Sequence, residues 1–203
     1  MELGDIEFVV DQNVYPPSED TYLLLDALEV REGDSFMEVG CGAGLITVAA
    51  ARICDRVFAT DISFEAVRNT TQNLRRNLLN HKCSVTQTDL LAPFGPIARF
   101  SVIAFNPPYL PKDEITTEMD SAFIGGEVGV ETTVRFIHEG SRLLELGGRM
   151  YVVASSLADL QRVEEEMNSY SLEVREVASS RFFFEKLQIL EGTLLKGQTE
   201  TVL

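Results

Sequence analysis

Along the chain, short unbroken apolar runs alternate with longer stretches in which apolar residues recur every three or four positions. Runs of the first kind suit strands buried on both faces of a sheet; the second spacing suits helices with one buried stripe. Strands are therefore predicted at Ser35–Val39, Arg56–Thr60, Cys83–Gln87, Phe100–Phe105 and Gly148–Ala154, with two more at Ser171–Ala178 and Phe183–Leu190. Helices are predicted over about 19–29, 44–53, 63–79, 128–145 and 157–168. This alternation implies an α/β fold with a mainly parallel sheet and helices on both faces. The last two strands are joined by little more than Ser179-Ser180-Arg181-Phe182. A parallel crossover needs about a dozen residues, so an antiparallel hairpin is expected there. The result is a seven-stranded sheet with one antiparallel strand, and its ligand site belongs at the carboxyl ends of the strands.

Composition narrows this picture without changing it. A length of 203 residues suits one domain, 1–203, with residues 1–30 as an N-terminal extension and helix and 31–203 as the core. No apolar run approaches the roughly 18 residues of a membrane span, and the acidic start Met1-Glu2-Leu3-Gly4-Asp5 is unlike a secretory signal. A cytoplasmic location is expected. The net charge is −15, from 17 basic and 32 acidic residues. Such a surface repels phosphate backbones at long range, which counts against nucleic acid as the substrate. Cys41, Cys54 and Cys83 are scattered, with no Cys-x-x-Cys pair. They read as reduced thiols, and no metal site is expected. His81 with Cys83 reads as a strand start after a helix, and His138 as a helix surface residue.

Candidate chemistry sits at the predicted strand ends. Glu38-Val39-Gly40-Cys41-Gly42-Ala43-Gly44 follows a strand and opens a helix. Glycines there permit a tight turn and let a ligand approach the backbone closely. A dinucleotide fingerprint would place its third glycine where Leu45 stands; here the spacing is Gly-x-Gly-x-Gly, preceded by an acid. Asp61, 17 residues after Gly44, ends the second strand, where a carboxylate can accept from two ribose hydroxyls. Asp89 follows the third strand and could accept from an exocyclic amine, with Leu90 offering an apolar face; the lesser alternative for Asp89 is a turn residue that starts a loop. Asn106-Pro107-Pro108-Tyr109 directly follows the strand Phe100–Phe105. A planar nitrogen is a poor nucleophile because its lone pair is delocalised. Two fixed acceptors for its N–H hydrogens, the Asn106 side-chain oxygen and the Pro107 carbonyl, would favour a localised lone pair. Tyr109 would stack on the planar group, and catalysis would be mostly positioning.

These features outline a Rossmann-like class I methyltransferase using S-adenosylmethionine. The chain resembles the HemK-related methyltransferases that modify the glutamine of the Gly-Gly-Gln loop in class-1 peptide release factors, most closely the short archaeal and eukaryotic type. The resemblance runs from Val14-Tyr15-Pro16-Pro17-Ser18-Glu19-Asp20-Thr21 through Asn106-Pro107-Pro108-Tyr109 and Gly125-Gly126-Glu127-Val128-Gly129 to Phe182-Phe183-Phe184-Glu185-Lys186. It implies cofactor contacts at Thr21, Glu38, Gly40, Gly42, Gly44, Asp61, Ile62, Asp89, Leu90 and Asn106, and substrate contacts at Asn106, Pro107, Pro108 and Tyr109. Independently of the resemblance, Ser18 reads as a helix N-cap followed by dipole-compatible acids. The resemblance also implies a heterodimer with a small zinc-binding activator subunit, whose zinc would belong to the partner.

The stretch Leu110–Gly126 has little periodicity and is expected to form a wall of the substrate site. Asn-Pro-Pro-Tyr alone is neutral between a glutamine amide and the N6 of adenine. An adenine methyltransferase therefore remains the main rival, a lysine methyltransferase a lesser one, and a non-catalytic binding subunit the alternative from another class.

Overall fold

The computed structural model describes residues 6–95, 97–108, 130–182 and 185–195. Helix α1 (Glu19–Ala27) leads into strand β1 (Ser35–Val39), then α2 (Leu45–Ala51), β2 (Arg56–Asp61), α3 (Phe64–Arg76) and β3 (Cys83–Gln87). There follow β4 (Phe100–Phe105), α4 (Glu131–Ser141), β5 (Leu144–Ser155), α5 (Leu160–Ser169), β6 (Leu172–Phe182) and β7 (Glu185–Leu194). The strands form one sheet in the order β3-β2-β1-β4-β5-β7-β6. Pairing is parallel from β3 to β5, and β7 alone runs against both its neighbours.

The apolar runs are explained by burial on both sheet faces. Every residue of β1 is buried: Phe36 packs with Leu24, Leu25, Ile46 and Leu74 on the α1–α3 side, and Met37 with Phe136, Ile137 and Met150 on the other. Each such side chain contributes about 1.5–3 kcal/mol when fully buried. Residues before β1 join this core, since Ile6, Phe8 and Leu28 pack into the first cluster.

Three expectations are corrected. The link between the last strands does not fall at Ser179–Phe182: these residues belong to β6, and Phe182 pairs with Glu185 at the close of the hairpin. The serines resemble a turn because β6 is an edge strand, where Ser179 and Arg181 face solvent and need not be apolar. The helix expected to 145 stops at Ser141, and β5 begins at Leu144 rather than Gly148. Leu143 and Leu144 keep helical spacing but serve the sheet, where Leu144 pairs with Phe100 ahead of an irregularity in the ladder. The final strand runs past Leu190 to Leu194.

Register positions the site. Val39 lies opposite Thr60 on one side and Phe105 on the other, so β1, β2 and β4 end side by side. Asp61 lies opposite Gln87, which brings Thr88 and Asp89 to the same edge. After β3 the chain returns to the opposite side of β1 as β4, and this reversal of strand order opens a crevice above the strand ends.

Candidate functional site

A cavity of about 590 Å³ fills that crevice. Its walls include Glu38, Gly40, Gly42 and Gly44 from the first turn, Asp61 and Ile62 from the second, and Asp89 and Leu90 from the third. Asn106, Pro107 and Pro108 close it from β4, and Thr21 from α1. All the site residues expected from the sequence therefore meet in one place, except Tyr109, which lies outside the described residues together with Leu110–Gly126.

The glycine turn is shaped by what packs behind it. Gly40 and Gly44 have φ of 67° and 85°. A Cβ on Gly44 would lie 2.6 Å from Thr70 Oγ1, and one on Gly40 would lie 3.0 Å from the Phe105 ring. The Thr70 hydroxyl donates to the Gly42 carbonyl at 2.9 Å, and the Asn73 amide donates to the Ala43 carbonyl at 2.8 Å. α3 thus holds the turn from below.

The same face of α3 captures the N-terminal segment. Asn77 accepts from the Glu7 N–H at 3.1 Å and donates to its carbonyl at 2.8 Å. Asn73 does the same for Val9 at 3.0 and 2.8 Å, and Asn69 accepts from the Asp11 N–H at 2.7 Å. Side-chain amides at four-residue spacing lie along one helix face and here act as a sheet edge for an extended chain. The Arg68–Asp11 ion pair at 2.9 Å adds to it. The segment so anchored supplies Asn13, Val14, Tyr15 and Pro17 to the cavity wall. Burial, helped by Asp20, pushes the Tyr15 phenol up to about 12, so it stays a neutral hydroxyl.

Two carboxylates flank the turn. Asp61 accepts from the Gly42 N–H and the Ser63 N–H, one on each oxygen, both at 2.9 Å. Burial raises its pKa against the pull of the backbone N–H groups of Gly42, Ser63 and Ile62. A carboxylate offers about four acceptor positions, so these backbone groups do not exhaust it and hydroxyl donors can still be accepted.

Glu38 is buried and accepts from the Thr47 hydroxyl. Burial pushes its carboxyl from an ordinary 4.5 up to about 8. In the unfolded chain this group ionises near 4.5 and in the folded chain near 8. Its contribution is therefore fully favourable below 4.5 and is lost as pH rises towards 8. Glu38→Gln, uncharged and of the same shape, should gain stability relative to the parent on going from about pH 5 to about pH 8, on the order of a few kcal/mol. Urea unfolding at both pH values measures this, and a difference independent of pH would contradict it.

At the end of β4, the buried Asn106 Oδ1 makes no hydrogen bond among the described residues; nor does the buried Thr60 Oγ1. Buried polar atoms are nearly always satisfied. An orphaned acceptor on a cavity wall is a place for a ligand's N–H.

Several wall residues escaped the sequence reading: Thr60, Tyr15, Thr132 and Arg135. Tyr15 stands in the quoted Val14–Thr21 stretch, but nothing in the pattern singled it out. Arg135 is one polar residue among several on an amphipathic helix; the structure pairs it with Asp89 at 2.7 Å. Among the described residues no three His, Cys, Asp or Glu side chains are placed to hold a metal ion, and no helix is long and apolar enough to cross a membrane.

Comparison with known proteins agrees with this geometry. Residues 6–184 match the Methyltransferase small domain family. A Methanocaldococcus jannaschii protein named for protein N5-glutamine methyltransferase activity is 32% identical over 196 residues, which cover 95% of this chain and 98% of that protein. Methyltransferase HEMK2 of Mus musculus is 31% identical over 175 residues, covering 80% of this chain and 81% of its own length. In fold, the chain is similar to the E. cuniculi Mtq2–Trm112 complex, described as responsible for methylation of the eRF1 translation termination factor. That match has a TM-score of 0.65 at 24% identity and covers 90% of this chain and 99% of the other.

Proposed function

The chain belongs to the Methyltransferase small domain family, and on that premise we propose that it methylates the side-chain amide nitrogen of the glutamine in the Gly-Gly-Gln loop of a class-1 peptide release factor, with S-adenosylmethionine as the donor. The observation that carries the reading is the unpartnered Asn106 Oδ1 on the wall of the cavity. The names of the two relatives support the reaction class. The cavity has the volume of a small-molecule site.

The residues present fit the cofactor. Asp61 has acceptor positions left for ribose hydroxyls, Asp89 and Leu90 offer an acceptor and an apolar face suited to adenine, and Gly40, Gly42 and Gly44 leave their part of the wall without side chains, which suits the methionine portion. Thr21, Glu38 and Ile62 complete that wall. When bound, S-adenosylmethionine supplies an electrophilic methyl group on a sulfonium sulfur.

The protein's own task is to present nitrogen. Asn106 Oδ1 accepts one amide N–H and the Pro107 carbonyl the other, which aims the lone pair out of the amide plane. Pro107 has a fixed φ, and Pro108 after it restricts its ψ, so the Pro107 carbonyl is held in one direction. As the N–C bond forms and the donor's C–S bond breaks, the nitrogen would take the methyl and become positive, and one of these two protons would then pass to water. Its growing positive charge strengthens both hydrogen bonds, so they contribute more in the transition state than in the ground state. Pro108 borders the same wall, and Tyr109 would stack on the amide plane.

The reading extends to a heterodimer with a small zinc-binding activator subunit, supported by the complex that the fold neighbour forms, and to action in the cytoplasm on a translation factor. The test is methyl transfer from labelled cofactor to a purified release factor and to its loop Gln→Ala variant, with and without an activator subunit. Label is expected on the parent factor only. Label on the Gln→Ala variant, or on nucleic acid alone, would overturn the assignment.

A further inference from the structure

Resting on the cofactor reading above, we infer that Arg135 and Glu139 of α4 are positioning residues for the adenine end of the cavity, and that Arg135 makes the site selective for a 6-amino purine over a 6-oxo one. Arg135 Nη2 donates to Asp89 Oδ2 at 2.7 Å. One helical turn on, Glu139 Oε2 accepts the Leu91 N–H at 3.0 Å. Side chains four apart on a helix project the same way, so the two residues hold the Asp89-Leu90-Leu91 turn at both ends. They also lie near each other, with Arg135 Nη2 3.9 Å from Glu139 Oε1.

The residue between the held ends is conformationally unusual. Leu90 has φ of 47°, a left-handed conformation that side chains other than Asn, Asp and Gly rarely adopt. Such backbone strain persists only where neighbouring contacts fix it, and it concentrates at ligand sites. Leu90 is buried and faces the cavity. A further bond, from the Thr88 N–H to the Asp61 carbonyl at 2.8 Å, ties the turn to the strand end that carries the ribose-binding acid. The α4 pair is thus the outer of two supports on the turn.

The consequence for the ligand follows from hydrogen-bond chemistry. A carboxylate oxygen accepts and a guanidinium only donates. With Oδ2 turned to Arg135, the other oxygen of Asp89 has no partner among the described residues. It is an acceptor in a set orientation, matched to an exocyclic amine and mismatched to a carbonyl. Without Arg135 the half-exposed Asp89 side chain is free to rotate into solvent, and the distinction fades. A bland alternative exists: a half-exposed ion pair on a helix surface contributes little to anything. The two differ in what they predict for binding.

The experiment is calorimetric titration of the full chain with S-adenosylhomocysteine and with its hypoxanthine counterpart, S-inosylhomocysteine, alongside thermal melts without ligand. For Arg135→Ala, affinity for S-adenosylhomocysteine is expected to fall about tenfold. Affinity for the 6-oxo analogue should change by less than about twofold, and Tm by less than about 2 °C. Arg135→Lys should restore most of the lost affinity. If Arg135→Ala does not fold, Arg135→Gln carries the same comparison. Unchanged affinity for S-adenosylhomocysteine would overturn the inference, and so would equal weakening of both ligands together with a lowered Tm. A parent protein that binds neither ligand would overturn the cofactor reading, and this inference with it.

Discussion

Asn106→Ala is expected to lower the rate of methyl transfer from bound cofactor by about 10²–10³-fold, the loss typical of removing one preorganised transition-state partner. Cofactor affinity should fall far less. The expectation rests on where the oxygen sits. Asn106 follows directly after β4, whose register against β1 brings it beside the glycine turn. Its Oδ1 is buried with no hydrogen bond among the described residues, so an N–H from the substrate displaces no competing donor there. Alanine removes that acceptor and leaves the Pro107 carbonyl alone, which orients the amide about one axis but not two. Single-turnover transfer from labelled cofactor, compared with cofactor affinity by titration, separates the two effects. Should affinity collapse while bound cofactor still turns over, Asn106 would be a binding residue only. Asn106→Asp is the informative companion: it keeps an acceptor at the position but adds charge, so it should retain more activity than alanine and less than the parent.

How far the chain could be read in advance depends on the physical scale of each feature. Strands β1 and β4 were legible because they are mostly apolar and covered on both sheet faces, and β2 because its short run from Val57 to Thr60 is largely buried; their starts and ends matched the runs closely. The residues at or just past their carboxyl ends, Glu38 to Gly44, Asp61 and Asn106, were legible for the same reason: polar groups and glycines interrupt an apolar run where the chain meets the cavity. The edge of the sheet was not. Ser179 and Arg181 on β6 satisfy solvent and a single neighbouring strand, so nothing in their chemistry distinguishes ladder from turn. Least legible was the inner face of α3. Asn69, Asn73 and Asn77 recur at the helical period and invite reading as a solvent face, yet Asn69 and Asn73 are fully buried. Their burial is tolerated because each amide is satisfied by backbone some 60 residues away, from Val9 and Asp11 to α3. A pairing of that range leaves no local signature. Arg135 belongs with them, since its meaning comes wholly from Asp89, 46 residues earlier.

Asp61→Ala should have the opposite signature to Asn106→Ala: cofactor affinity falls by about a hundredfold or more, and turnover of whatever cofactor does bind is far less affected. Two losses combine. One is the acceptor for ribose hydroxyls, where each hydrogen bond to a charged group contributes about 1.5–3 kcal/mol. The other is internal, because the Gly42 and Ser63 N–H groups, each 2.9 Å from a carboxylate oxygen, are left without their partner. The Gly42 bond spans the glycine turn and the end of β2, so its loss loosens the turn that lines the cavity. Asp61→Asn tests which loss dominates. Its amide has one oxygen and one NH2 group, and can accept from only one of the two N–H groups while presenting a donor to the other. If ribose recognition dominates, asparagine should recover part of the affinity through its remaining lone pairs. If the internal bonds dominate, asparagine should be as poor as alanine, because a donor facing a donor keeps the turn open. The raised pKa adds a second readout. Protonation converts one acceptor oxygen into a donor, and burial brings that event to a higher pH than for an exposed aspartate. In the parent, cofactor affinity should therefore begin to fall on acidification earlier than the ordinary carboxylate range would allow. In Asp61→Ala that limb should be absent. An alanine variant with parental affinity, or one that keeps the acid limb, would remove Asp61 from the cofactor site.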